Sequence, residues 1–309
     1  MTPIDIPRRT ISGLSVPRLI LGDHGFLRRY GSRLTSAQIT YRMRSALVLG
    51  AVGISAGDER VLRAAARADA PWTLHHTDVA FLSDGRRGHF GRCMATLYER
   101  LITEHPRFVS ADPLMGAFIM RFKRFRPYES AMKLVNNPSA SARIASIIQC
   151  YKPAMTSIGG DYLDAMLSLG KIDDAKAAIM PLLDACRQIE SIPVLTTYLA
   201  AVLDPEDLCA LTDSFSALMI PMNDVGVAML PCRDMVIRRI NELGKPILAM
   251  HTLAAGLVDP AAALTTVLAC NHVAAAVVGA TSLAHIEALM QAAHKVFDQQ
   301  REEVPYPAK

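Results

Sequence analysis

The chain predicts a (β/α)8 TIM barrel, and three observations carry that reading. Short apolar runs of strand length alternate with helical segments along most of the 309 residues. Eight such runs can be counted. Nearly every run ends in a small or polar residue, at the end of the strand where this fold builds its sites. Half of the residues are apolar (51%), enough to bury one large core, so a single domain over residues 1–309 is expected.

The units follow in order. Val16-Pro-Arg-Leu-Ile-Leu-Gly22 reads as the first strand, and Thr35-Ser-Ala-Gln38 carries the capping pattern of a helix running to Gly50. Ala51 to Ser55 with a helix from Asp58 to Ala68 makes the second unit, and Trp72 to His76 the third strand. Strand four is Pro153 to Ile158, with a helix from Ile172 to Ile189; strand five is Ile192 to Thr197, with a helix capped at Asp204-Pro205. Ala217 to Met222 is strand six, followed by a helix from Arg233 to Leu243 that Gly244 stops. Pro246 to Met250 is strand seven, with a helix begun by Asp259-Pro260, and Val273 to Val278 is strand eight, with a helix from Ser282 to Phe297.

The connection between strands three and four, residues 79–152, is too long for an ordinary loop and reads as a mostly helical insertion or lid. Between Arg86 and Lys152 it holds 12 Lys/Arg against 4 Asp/Glu, including Arg121-Phe-Lys-Arg-Phe-Arg126, whereas the whole chain carries only +4. That charge suits a small anionic metabolite drawn to the barrel mouth; a solvated helix face or a contact in a homo-oligomer is the structural alternative. No nucleic-acid module surrounds these arginines, so nucleic acid is not the expected partner. Cys93, Cys150, Cys186, Cys209, Cys232 and Cys270 lack CxxC spacing and read as reduced, mostly buried thiols rather than a disulfide framework. The N-terminus has no apolar signal-like run and no stretch approaches the ~18 apolar residues of a membrane span, so a cytoplasmic enzyme with no membrane partner is expected.

The polar residues at the strand ends define the candidate site. They are Asp23 and His24; Ser55 and Asp58; His75, His76 and Asp78; Asp161 and Tyr162; Thr197 and Tyr198; Asn223 and Asp224; His251 and Thr252. Histidine exchanges protons near neutral pH and ligates metals, and carboxylates serve as bases or partners, so acid/base or metal-assisted chemistry is within reach of this set. The catalytic candidates are His24, His75, His76, Asp161, Tyr162 and His251, with His251 foremost because it directly follows an apolar strand. His75 and His76 are adjacent on one strand, so at most one of them faces the barrel axis. Asp161 follows Gly159-Gly160 and serves equally as a helix cap.

Gly244-Lys-Pro246, Leu253-Ala-Ala-Gly256 and Val278-Gly-Ala-Thr-Ser282 with His285-Ile-Glu, together with Leu218 to Asn223 and Ile11 to Gly22, form a pattern that resembles the aldo/keto reductase superfamily. The resemblance covers about half the chain. It implies a (β/α)8 barrel and reduction by an Asp, Tyr, Lys and His at the ends of strands two to four. At those places this chain has Ile54-Ser-Ala-Gly-Asp-Glu59, Leu74-His-His76 and Ile158-Gly-Gly-Asp161, so the tetrad is not carried over. The basic clamp that the family uses for a 2′-phosphate is absent after strand eight apart from His285. Gly279, Thr281 and Ser282 could still hold a phosphate group through backbone N–H donors.

Three readings follow. The first is a barrel enzyme doing non-redox lyase, isomerase or hydrolase chemistry on a small anionic metabolite, with a divalent metal as one option. The second is a divergent NAD(P)H-dependent oxidoreductase that reduces a carbonyl, with Tyr162 or a histidine donating the proton. The third is a non-catalytic binding or assembly subunit. The sequence favours the first.

Overall fold

A computed structural model describes residues 6–29, 32–77, 138–160, 163–164, 167, 172–203, 205–280 and 282–302. Eight parallel strands close into a barrel: β1 Leu19–Gly22, β2 Ile54–Ala56, β3 Thr73–His76, β4 Met155–Gly159, β5 Ile192–Thr196, β6 Ala217–Pro221, β7 Ile247–Met250 and β8 Val273–Gly279. Each strand pairs with the next in sequence, and β8 pairs with β1. Among the described residues a helix of two turns or more follows each strand: α1 Ser36–Val48, α2 Glu59–Arg67, α3 Pro138–Tyr151, α4 Ile172–Gln188, α5 Pro205–Thr212, α6 Arg233–Leu243, α7 Pro260–Ala269 and α8 Leu283–Glu302. The TIM-barrel expectation holds. Strands buried on both faces explain the continuous apolar runs that made them legible.

Caps fix the helix ends. Thr35 and Gln38 form a reciprocal capping box on α1, Asp58 caps α2, and Asp259 followed by Pro260 opens α7. Gly244 ends α6 in the left-handed conformation at φ 60°, a region where only glycine carries no Cβ penalty.

Several boundaries differ from the sequence reading: β2 is Ile54–Ala56 rather than Ala51 to Ser55, and α8 runs on to Glu302. The run from Val16 to Gly22 is two strands, because Leu14–Pro17 turns back on Arg8–Ile11 in an antiparallel hairpin before Leu19 enters the barrel. Ser12 and Gly13, both at positive φ, make the two-residue turn. Arg9 Nη1 donates to the Asn271 carbonyl at 2.6 Å, just ahead of β8, so the hairpin sits at the end of the barrel away from the mouth. The expected insertion over 79–152 lies largely outside the described residues. Its final part, α3, packs against α4 and α2 as the barrel's third helix.

Candidate active site

Strand register decides which side chains enter the barrel. His76 pairs with Ser157 and Gly159 with Thr196, so these positions share the inner face. There, His76 Nδ1 lies 2.9 Å from Ser157 Oγ, which is itself hydrogen-bonded to Thr196 Oγ1. Three adjacent strands thus contribute one polar chain to the interior, and Ser55, paired with Leu74, adds a buried hydroxyl on the same face.

His75 faces the other way. It pairs with Thr156, whose hydroxyl meets Ser191 and the thiol of Cys186 on α4, so this face looks into the layer between strands and helices. The ring is fully buried, and its Nδ1 lies 2.9 Å from the Ala56 carbonyl. A carbonyl only accepts, so Nδ1 carries the proton. Burial pushes the imidazole down to about 4, and among the described residues Nε2 has no partner. A ring held neutral behind the sheet does not serve the mouth, and this corrects the expectation of a catalytic His75. Cys186, in the same layer, is pushed up to about 11 by burial and stays a thiol, but Cys150 and Cys209 are exposed and Cys232 and Cys270 half-buried, which corrects the expectation of mostly buried cysteines.

A second polar group forms at the rim. Tyr198, just beyond β5, is 6% exposed, and its Oη lies 2.8 Å from Nε2 of His251, just beyond β7. The rings are tilted at 53° with centroids 5.6 Å apart. Their contact crosses the end of β6. Asp164 fixes the tyrosine from behind, accepting the Tyr198 N–H at 2.7 Å and the Thr197 hydroxyl at 2.5 Å. His251 is exposed and holds φ 54°, an uncommon conformation for a residue with a Cβ. Asn223 Nδ2 donates to the His251 carbonyl at 3.3 Å and to the Val227 carbonyl at 2.8 Å, tying the β6 and β7 loops together.

The remaining candidates fall out as follows. His24 opens a one-turn helix, His24–Leu27, directly after β1. Before it, Asp23 is buried and accepts the Gly57 N–H at 2.9 Å, joining the ends of β1 and β2. Asp58 caps α2 and binds Arg60 at 2.7 Å, so its carboxylate is committed to the helix. Asp224 is exposed, and the Thr252 hydroxyl donates to the Ala249 carbonyl. Asp78, Asp161, Tyr162 and Thr281 lie outside the described residues. Gly159 and Gly160, at φ 116° and 94°, let β4 approach β5: Gly160 N–H donates to the Thr196 carbonyl at 2.7 Å, and a Cβ on Gly159 would strike that same carbonyl.

At the end of β8, Gly279 is exposed and a Cβ there would meet nothing within 4 Å. Ser282 begins the first turn of α8, its Oγ accepting the His285 N–H at 3.1 Å, and no acidic residue stands in that turn. A helix N-terminus without an acidic side chain suits an anion electrostatically. Among the described residues no cluster of three His, Cys, Asp or Glu could hold a metal, and no helix is long and apolar enough to cross a membrane.

Sequence reasoning named Tyr198 and Asn223 only as strand-end residues, and it passed over Ser157, Thr196 and Asp164. The period-two pattern placing Thr196 and Tyr198 on one face was the available signal. The partner strands were not.

No family model matches the chain, and no curated protein is significantly similar to it. Solved structures are. Aldo-keto reductase AKR11C1 from Bacillus halodurans, in its holo form, is 13% identical, with 96% of each chain covered and a TM-score of 0.55. The glycerol dehydrogenase AKR11B4 from Gluconobacter oxydans is 12% identical over 99% of this chain and 97% of its own, with a TM-score of 0.50. The chain thus resembles the aldo-keto reductases in fold along nearly its whole length, beyond the half in which the sequence pattern is visible.

Proposed function

We propose, from a barrel built like those of the aldo-keto reductases, that this chain is an NAD(P)H-dependent oxidoreductase that reduces a carbonyl substrate. The observation that carries the proposal is the full-length likeness of fold to reductases, together with an anion-compatible turn at the end of β8, beside the mouth. The non-redox reading gains no comparable support.

Gly279 and the first turn of α8, begun by Ser282, fit a phosphate-bearing nucleotide through main-chain donors, with the side chain missing at Gly279 leaving room for close approach. When bound, the nicotinamide supplies a hydride. The chain's own residues do the rest: His76, Ser157 and Thr196 offer polar contacts inside the barrel, and Tyr198 and His251 offer a phenol and an imidazole at the rim. The excess of 12 Lys/Arg over 4 Asp/Glu between residues 86 and 152 favours a carbonyl substrate that bears an anionic group.

Fluorescence titration of the purified protein with NADPH and NADH tests the reading. Saturable micromolar binding of either, competed by inorganic pyrophosphate, is expected, and Ser282→Pro should weaken it by removing the cap and distorting the turn. Absence of binding to both nucleotides would refute the proposal.

A further inference from the structure

The aldo/keto reductase pattern lacks its tyrosine in this chain, yet the structure builds a different phenol into the mouth. Tyr198 stands on the end of β5, its main chain locked by a buried carboxylate and its hydroxyl 2.8 Å from the His251 imidazole. The phenol ring is buried and the imidazole is exposed. That arrangement connects a sheltered hydroxyl to solvent through one ring. His251 also holds a left-handed backbone, its carbonyl accepting from the Ala254 N–H at 2.8 Å in a turn and from Asn223 Nδ2 at 3.3 Å, which fixes the ring's place at the rim.

We propose that Tyr198 is the catalytic acid of carbonyl reduction in this protein and that His251 is the group that returns its proton. The inference rests on the oxidoreductase reading above and adds to it the identity of the acid. The carbonyl carbon gains a hydride from the reduced nicotinamide, which is oxidised, and the C=O π pair moves to oxygen. The Tyr198 Oη–H bond breaks and its proton forms the alcohol O–H. The phenolate then takes the Nε2 proton of the imidazolium of His251, which is reprotonated from solvent through its exposed edge. Asp164 and Asn223 are positioning residues: they touch the main chain of the pair and not the reacting atoms.

The test uses the full chain with NADPH and 4-nitrobenzaldehyde as the carbonyl probe. Y198F should lower kcat by roughly 10²–10⁴-fold, the range of a lost general acid, with the dissociation constant for NADPH unchanged and melting temperature close to wild type. H251N, chosen because asparagine tolerates the left-handed backbone, should lower kcat by about tenfold or more and raise the solvent isotope effect. A second readout needs no turnover: in the nucleotide-free protein, Y198F should move the side-chain ¹⁵N resonance of one imidazole among the nine histidines, that of His251. Wild-type turnover matched by Y198F, or imidazole resonances unaltered by it, overturns the assignment while leaving the oxidoreductase reading intact. Wild-type protein that neither binds NADPH nor consumes it removes that reading and the assignment together.

Discussion

Acid should weaken this fold through His75, by an amount that its position sets. The imidazole is buried against the helix layer and held down to about 4, against an ordinary 6.5. Above pH 6.5 the ring is neutral in both folded and unfolded chains and contributes no slope. As the pH falls below that value, the unfolded chain takes up a proton that the folded chain refuses until about pH 4, so stability declines through this window. Fully expressed, the difference is worth about 3 kcal/mol, and about 2 kcal/mol of it is lost by pH 5. Urea unfolding at pH 7.5 and pH 5.0 measures it, in wild type and in His75→Asn, whose amide can still donate to the Ala56 carbonyl but does not titrate. The variant should start lower at pH 7.5, because it leaves a cavity, and lose about 2 kcal/mol less than wild type on acidification. Carboxylates remain largely ionised at pH 5, so the difference between the two proteins isolates the ring. Equal losses in the two would refute the reasoning, as would an NMR titration placing the His75 ring near 6.5.

Substitutions at two further positions probe the mouth. Gly159→Ala places a Cβ against the Thr196 carbonyl at a backbone conformation that alanine resists; it should cost about 2 kcal/mol or more in chemical denaturation and splay β4 from β5. Asp164→Ala leaves the Thr197 hydroxyl and the Tyr198 N–H without the acceptor that they share. It should destabilise by about 3 kcal/mol, with Asp164→Asn milder because one oxygen remains, both read from urea midpoints.

The balance between the functional readings moved with the structure. The sequence favoured non-redox chemistry because the reductase tetrad is missing beside several histidines. The fold likeness extends along the whole chain, and the register withdraws His75 from the site. What remains at the mouth is a smaller polar set: His76, Ser157 and Thr196 inside the barrel, with Tyr198 and His251 at the rim.

By itself the sequence determined the barrel. Apolar runs such as Ile247 to Met250 have one stable use when both faces are covered, and Thr35, Asp58, Gly244 and Asp259 mark helix ends by local hydrogen bonding and φ preference, which depend on near neighbours in the chain. It also determined that only one of His75 and His76 could face the axis, since that follows from alternation. Tertiary structure decided which one. The choice depends on register against β4, where Ser157 and Thr156 present opposite faces. The Tyr198–His251 contact is likewise a tertiary product, joining residues 53 positions apart across the end of an intervening strand. Period and capping are properties of one segment; a site is a property of which segments become neighbours, and closure of the barrel sets that.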